Sequence, residues 1–595
     1  MYLKTLQKKV FSSRLSRQVQ LSYSHGTSTK PLLSEHVSQR LRTITDQYPT
    51  NIALISHHQQ IRMTYEQMND KVDKLAKGLV ALGLNKGDRI GIYAQNKAEW
   101  TLLQFAASRA DLILVNVNPA FQQNELQYAL KQVGIKTLVM TDKFKSSNYV
   151  QFVRDLIPQL DKATNPLDLG HIPEYPNLKN IVLIADHKEQ GMINFEDLYE
   201  LYDSNDDYQL QLREKEIDFE SPTNIQFTSG TTGYPKGATL SHFGILNNAY
   251  NIGSFMRLTS KDKIIIPVPL YHCFGMVIGN LCALNYGAAM IYPSESFDAK
   301  AALECTTQYK ATTLYGVPTM FIAMIEEYIK NKDKYDISHL RTGFISGSGV
   351  PEALMDKIRD VFNIQQMTQG YGQTECSPVV TQSEANDKHE KKSKTVGRAT
   401  PHVEVKIVNP ETGKIVPMGD AGEVCARGYL VMNGYWNDEK KTKDTIDERG
   451  WIKTGDLGQF DEDGFLKIIG RSKDMIIRGG ENIYPKELEE YFMKHPNVYD
   501  IQVIGVNDEF MGEEVCAWIK FKQEDKTTVQ DLLDYCQGQI SHYKIPRYVR
   551  FVKEFPLTVT GKVKKNDMRH LTNELLRQPQ NDIQEMKAKK KNTQK

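Results

Sequence analysis

The chain has 595 residues, enough for about two to five domains. Its apolar share of 40% and charged share of 25% are those of an ordinary globular enzyme. With 74 basic against 73 acidic residues the net charge is +1, which argues against a polyanion-binding protein for nucleic acid or anionic membrane. Seven scattered cysteines without a C-x-x-C pair argue against a disulfide framework or a cysteine-built zinc site, and read as reduced, mostly buried thiols.

No acidic residue precedes Glu35, whereas Lys4, Lys8, Lys9, Arg14 and Arg17 do. Leu3, Leu6 and Val10 would share one helical face, basic residues would fill much of the remainder, and serines follow. That is the composition of a mitochondrial transit peptide, expected over residues 1–25 with the matrix as destination; a disordered basic tail is the alternative. Globular patterning starts near residue 35. In "MTYEQMNDKVDKLAKGLVALGLNKGDRIGIYAQN", Leu75, Leu79 and Leu82 share a helical face, Gly83 stops the helix, and Ile90 and Ile92 alternate as a strand. Similar helix-then-strand units at 123–140, 299–316 and 351–368 predict α/β architecture with substantial parallel sheet.

Ile264 to Pro293 holds no Asp, Glu, Lys or Arg. Its length suggests a membrane span, but Pro267, Pro269, His272, Asn280, Asn285 and several glycines interrupt it, so a buried strand, loop and buried helix is the better reading. Residues 384–394, "EANDKHEKKSK", read as a charged loop. From about 400 to 470 the text is β-rich: "VEVKIVNPETGKIVP" predicts a hairpin and "GFLKIIG" a strand. After Arg471, "DMIIRGGENIYPKELEEYFMKHPNVYDIQVIGV" reads as strand, glycine turn, helix and strand, a small α+β domain over 474–575 with a boundary at 471–473. Residues 576–595, with the run Lys589–Lys591, read as a solvated basic tail that does not end in S-K-L.

Residues 228–237, TSGTTGYPKG, do not fit the common phosphate loop G-x-x-x-x-G-K-[ST]. The physics is nevertheless similar. "NIQF" ahead of it reads as a strand, glycines let successive N–H groups face one concavity, Thr228, Ser229, Thr231 and Thr232 offer hydroxyls, and Lys236 adds a point charge. A polar surface turn is the alternative for this stretch taken alone. Four clusters follow. QGYGQTE (369–375) reads as a strand-end loop, a usual site position in α/β sheets; Tyr371 can stack on a base and Glu375 can hold a hard cation. In TGD (454–456), Asp456 can accept hydrogen bonds from ribose hydroxyls. GRSKDMIIRGGENIYP (470–485) lies at the domain boundary, and PLTVTGKVKK (556–565) carries Lys562. Singly, each also reads as a turn or a solvated charge.

Taken together and in this order, the five motifs resemble those of the adenylate-forming, AMP-binding superfamily that includes the acyl-CoA synthetases. The resemblance covers residues 35–571. "NIQFTSGTTGYPKGATLSH", "GRSKDMIIRGGENIYPKELE" and "ISHYKIPRYVRFV" look closest to the mitochondrial medium-chain type. The resemblance implies an α/β fold: a large domain over 35–470, of stacked α/β sheets plus a β-rich subdomain, followed by a small mobile α+β domain. It implies ATP, coenzyme A and Mg²⁺, and a two-step ligation through an acyl-adenylate. By the same resemblance, Thr228, Ser229, Gly230, Thr231, Thr232, Gly233, Tyr234, Pro235 and Lys236 would hold the β- and γ-phosphates. Glu375, beside Thr374, would orient Mg²⁺. Tyr371, Gly372, Gln373 and the 346–351 loop with Gly347 would border adenine, and Asp456 and Arg471 would hold ribose. Lys562 would bridge the carboxylate and the α-phosphate. Lys473 matches a hinge position, and Gly479 and Gly480 would pass the pantetheine arm close to backbone. Lys565 stands where the family often has Arg.

The acid would lie between 268–276, 314–318 and the 346–349 and 369–378 loops, with His272 at a gate position; a satisfied core histidine is the alternative for His272. Tyr271, Phe274, Met276 and Val317 are apolar linings, and the first two stretches hold no charged residue to recognise an amino acid's second charge. This favours a fatty or aryl acid, with medium-chain fatty acids first. A luciferase-like oxygenase, a carrier-loading adenylating enzyme and an inactive nucleotide-binding scaffold are the rivals. No carrier-type attachment sequence follows the motifs, and Lys562, Glu375 and Asp456 are all in place. The partners expected are therefore small molecules, with no nucleic acid and no transmembrane segment. Oligomeric state and the identity of the acid are not legible in the residues.

Overall fold

A computed structural model describes residues 20–228, 235–478, 481–522, 527–537, 539–540, 542–557, 562–578 and 581–586. The first nineteen positions of the expected leader and the end of the expected basic tail lie outside these. The chain divides into two compact units. The larger joins His25–Glu404 to Ala426–Ile452, and the smaller joins the residues up to Ser24 to Val405–Cys425 and to everything from Lys453 on.

Among the described residues the larger unit is built on two sheets, one of eight strands and one of nine. In the first, Asn180–Ile184, Thr137–Thr141, Arg89–Tyr93 and Ile113–Asn116 run parallel, followed by β1 (Pro222–Thr228) and, antiparallel to it, β2 (Lys236–Ser241). In the second, Lys263–Ile265, Thr313–Gly316, Thr342–Ile345 and β3 (Gln366–Gly372) are parallel. Their continuous apolar runs are those of strands covered on both faces. Local signals set the helices. Thr64 caps Tyr65–Ala81 in a reciprocal box with Gln67, and Gly83, at φ +75°, turns the chain out of it.

The uncharged stretch from Ile264 folds as the end of a strand, a loop, a π-helix over Phe274–Leu281 that continues as Cys282–Tyr286, and a second strand, Ala289–Tyr292. No described helix is long and apolar enough to cross a membrane. Three expectations change. The 384–394 segment is not all loop: His389–Lys394 is helical, and Lys392, 2% exposed, donates to the Gln365 and Ala385 carbonyls. Its hydrophilic sequence hides a lysine whose ammonium is satisfied by backbone. The hairpin expected at "VEVKIVNPETGKIVP" forms in a shortened version: Val403–Val408 is its full arm, and the return arm adds the Val408↔Ile415 bridge with the Asn409 N–H on the Lys414 carbonyl at 2.8 Å and the Val416 N–H on the Ile407 carbonyl at 3.0 Å. Both edges of that arm are already taken by Tyr23–His25 and Gly422–Gly428. Finally, Tyr371 is not in a loop but on β3, which runs on to Gly372 and pairs antiparallel with Val379–Gln382.

In the smaller unit, β4 (Ile452–Phe460) and β5 (Leu466–Arg471) pair antiparallel. A further sheet centres on Gly512–Phe521, paired with Val498–Asp508 and Tyr548–Phe551. Pro485–Phe492 and Val529–Cys536 bury Leu488, Phe492, Leu532 and Leu533 with Ile501 and Val503 in that unit's own core.

Candidate functional site

The shoulders of the TSGTTGYPKG loop are fixed. β1 and β2 are paired so that Phe227 faces Gly237 and Thr228 faces Lys236. The loop's middle, Ser229, Gly230, Thr231, Thr232, Gly233 and Tyr234, lies outside the described residues. The far shoulder is held by Tyr128, whose hydroxyl donates to the Pro235 carbonyl at 2.9 Å. The Trp436 N–H donates to the Gly237 carbonyl at 2.8 Å.

Lys236 does not stand alone. Its ammonium lies 5.0 Å from the centroid of the Tyr435 ring, a cation–π distance. The same ring's hydroxyl donates to Glu375 Oε1 at 2.9 Å. Burial, then the Lys441 charge, pulls the Lys236 ammonium below its ordinary pKa. Burial, then the Glu375 carboxylate, pushes the Tyr435 phenol up, so it stays a donor. A partly desolvated cation of this kind gains when an anion arrives. Sequence reading missed Tyr435. The signal available was "NGYW" (433–436), whose Gly434 needs φ +137°, a region that favours glycine.

Removing only the phenol oxygen should separate these contacts. Tyr435→Phe keeps the ring under Lys236 and frees Glu375 from its donor. Acid-dependent ATP–pyrophosphate exchange should fall ~10-fold, the size of one hydrogen bond to a charged group, and Tyr435→Leu should fall further. Equal rates in wild type and both variants would show that the ring is only packing.

Glu375 sits on the 3₁₀ turn Thr374–Cys376 that follows β3 and Gln373, and the Met432 N–H holds its carbonyl at 3.0 Å. No group of three or more metal-ligating side chains exists among the described residues. A single carboxylate is how Mg²⁺ is commonly held when phosphates and water fill its remaining positions, so Glu375 fits that ion in that mode. Beside it, Tyr371 is buried at the end of β3. Gly372 is required there because an added Cβ would lie 1.9 Å from the Pro378 carbonyl oxygen. Ser346 Oγ donates to the Gly370 carbonyl at 2.8 Å, which ties the start of the 346–351 loop to β3. Gly347, at φ +96°, turns that loop.

The segment predicted to border the acid leads into the π-helix. His272 and Tyr271 are half-buried with rings 5.3 Å apart, and Asn116 Nδ2 donates to the Tyr271 carbonyl at 2.9 Å. Phe274, Tyr315 and Phe344 form an aromatic cluster with centroids 5.7–6.3 Å apart. The surroundings are not purely apolar. Asn116, Asn224 and Gln226 are buried, and both Asn116 and Gln226 direct amide N–H groups at Met276 Sδ, at 3.3 and 3.0 Å. These amides were not anticipated. Asn224, Gln226 and Thr228 alternate along β1 onto one face. Cys273 is buried, and burial pushes its thiol pKa up, so it is no nucleophile.

In the smaller unit, Asp456 on β4 faces Arg471 on β5, and Arg471 Nε donates to Asp456 Oδ1 at 3.0 Å. Thr454 Oγ1 accepts from the Asp456 N–H, and Gly455, at φ +72°, makes the bend between them. Lys473 follows in the short turn Ser472–Asp474; burial, then Arg471, pulls its ammonium pKa down. Lys562 is exposed beside the Leu557↔Val563 bridge that closes its loop. Arg478 faces Glu481 across the glycine turn, whose Gly479 and Gly480 lie outside the described residues. Arg478 grips buried Glu514 with two bonds, at 2.7 and 2.9 Å. Lys565 donates to Glu489 and to the Val503 carbonyl, a contact that anchors the helix it begins. The predicted residues thus group as Thr228, Lys236, Gly347, Tyr371 and Glu375 with His272 in one unit, and Asp456, Arg471, Lys473 and Lys562 in the other.

The profile of the AMP-binding enzyme family matches residues 41–436, and that of the AMP-binding enzyme C-terminal domain matches residues 487–562. The zebrafish (Danio rerio) medium-chain acyl-CoA ligase ACSF2, mitochondrial, is 44% identical over 560 residues, 93% of this chain and 91% of that protein. The putative acyl-CoA synthetase YngI of Bacillus subtilis is 44% identical over 544 residues, 91% of this chain and 98% of that one. Among solved structures, ATP-bound MatB from Rhodopseudomonas palustris superposes with a TM-score of 0.77 at 26% identity, covering 90% of this chain and 99% of that one.

Proposed function

The chain belongs to the AMP-binding enzyme family and is an acyl-CoA ligase, and from that premise we propose that it activates a medium-chain fatty acid within mitochondria, with the residues above in the following roles. ATP and coenzyme A are the co-substrates. In the first step a carboxylate oxygen attacks the α-phosphorus of ATP, the acyl–phosphate bond forms, and pyrophosphate leaves with the displaced pair of electrons. In the second, the sulfur of coenzyme A attacks the acyl carbon, AMP leaves, and the thiol proton passes to solvent.

The first step brings two anions together, so positioning and electrostatics carry it. Thr228 to Lys236 hold the β- and γ-phosphates, with Lys236 set over Tyr435. Mg²⁺, when bound at Glu375, would neutralise phosphate charge. Tyr371 and the 346–351 loop border adenine, Asp456 and Arg471 hold ribose, and Lys562 supports the carboxylate and α-phosphate oxygens. His272 stands at the entrance to the acid site. The observation that supports this reading is the Lys236–Tyr435–Glu375 array at the shoulder of the glycine-rich loop, where a cation and a carboxylate share one tyrosine.

The two half-reactions need different groups at one carbon, and a swing about Lys473 supplies them in turn. Lys473→Pro should therefore impair thioester formation more than adenylate formation. Equal loss of both would argue against the hinge. The reading as a whole is tested by AMP release from ATP and Mg²⁺ with octanoate, with and without coenzyme A. Fast release only with acid and coenzyme A together is expected. A maximum at acetate or at a C16 acid in a chain-length series would overturn the medium-chain assignment.

A further inference from the structure

Resting on the mitochondrial reading above, we infer that the proteolytic cut maturing this chain falls ahead of Gln20, so that the mature enzyme keeps residues 20–26, with the short strand Tyr23–His25, as a structural segment. A leader read from composition extends to about residue 25, yet its last stretch is built into the fold. The Ser22 N–H donates to the Val416 carbonyl at 2.8 Å and its carbonyl accepts from the Ile407 N–H at 2.9 Å. The Ser22 hydroxyl donates to the Pro417 carbonyl at 2.8 Å, and Ser22 is 0% exposed. The Gln20 carbonyl accepts from the Met418 N–H at 2.8 Å. Gly26 exchanges two backbone bonds, its N–H to Val403 and its carbonyl from His402, at 2.8 and 2.7 Å. An added Cβ at Gly26 would lie 1.9 Å from the Thr400 carbonyl oxygen.

A cut after residue 25 would strip the Ser22 carbonyl from the N–H of Ile407, itself 0% exposed, and bare the edge of Val403–Val408. A buried N–H left without an acceptor is costly, and a bared strand edge invites pairing with other chains. The sequence agrees on the boundary. The leader's last cationic residues are Arg14 and Arg17, and the strand starts only a few residues later. The cut hydrolyses one peptide bond with one water: the leader leaves with a new carboxylate, and the mature chain gains an α-amine.

Two measurements decide it. The full chain with a C-terminal tag is expressed in eukaryotic cells, and the N-terminal peptide of the mitochondrial protein is sequenced by mass spectrometry. The mature start is expected downstream of Met1 and at or before Gln20; a start after Gln20, or an uncut chain in mitochondria, overturns the inference. An uncut chain outside mitochondria overturns both the localisation and the cut. Purified truncations then report on the strand independently of import. Removing residues 1–19 should leave the melting temperature unchanged, while removing 1–25 should lower it by on the order of 5 °C or give insoluble protein. Ser22→Pro in the shorter truncation removes both Ser22 donors, the N–H to Val416 and the hydroxyl to Pro417, and should lower the melting temperature too. Equal stability of all three would show that the strand contributes nothing.

Discussion

Lys562→Ala is expected to slow adenylate formation ~10²–10³-fold, or about 2.7–4 kcal/mol, the cost of losing one preorganised donor at a developing oxyanion. Lys562 is exposed next to the Leu557↔Val563 bridge, with the Lys564 N–H bound to the Pro556 carbonyl at 2.8 Å. The base of its loop is therefore anchored, and the flexible stem delivers a compact charge. The measurement is acid-dependent ATP–pyrophosphate exchange, alongside turnover of preformed acyl-adenylate with coenzyme A. The first should collapse and the second should stay within a few-fold of wild type. Near-normal exchange would remove Lys562 from the catalytic list, and equal loss of both half-reactions would point to damage of the unit instead.

Glu375→Gln is expected to lower adenylate formation ~10²-fold, with part of the loss recovered at high Mg²⁺. The lost carboxylate charge weighs about as much as one preorganised electrostatic group. The substitution is nearly isosteric, and the amide oxygen can still accept from Tyr435, so the array's shape survives while its charge is lost. Glu375 also offsets the downward pull on the Lys236 ammonium, so its loss lowers the pKa of that ammonium further. An unchanged Mg²⁺ dependence at reduced rate would make Glu375 a positioning residue for Tyr435 alone. An unchanged rate would dismiss it altogether.

The sequence by itself determined the α/β class, the helix-then-strand units and the ordered motifs. These rest on short-range physics: helical and strand periodicity, capping residues such as Thr64 and Gln67, and glycines where the backbone needs positive φ, as at Gly83 and Gly347. It also offered Thr228, Lys236, Glu375, Asp456 and Lys562 as candidates, through the ordered motifs that resemble those of the family. Only the tertiary structure decided what lies across from those stretches. Tyr435 is 60 residues from Glu375 in sequence, yet a strand pairing of Ala238 with Tyr435 brings its ring to Lys236. Asn116 and Gln226 reach Met276 from separate strands. Lys392 is buried by carbonyls its local sequence does not foretell, and Ser22 is buried because Val416 and Ile407, almost four hundred residues later, offer its backbone partners. Local propensity acts over a turn or two of chain, whereas hydrogen bonding and burial act on whatever the sheet order brings within a few ångströms.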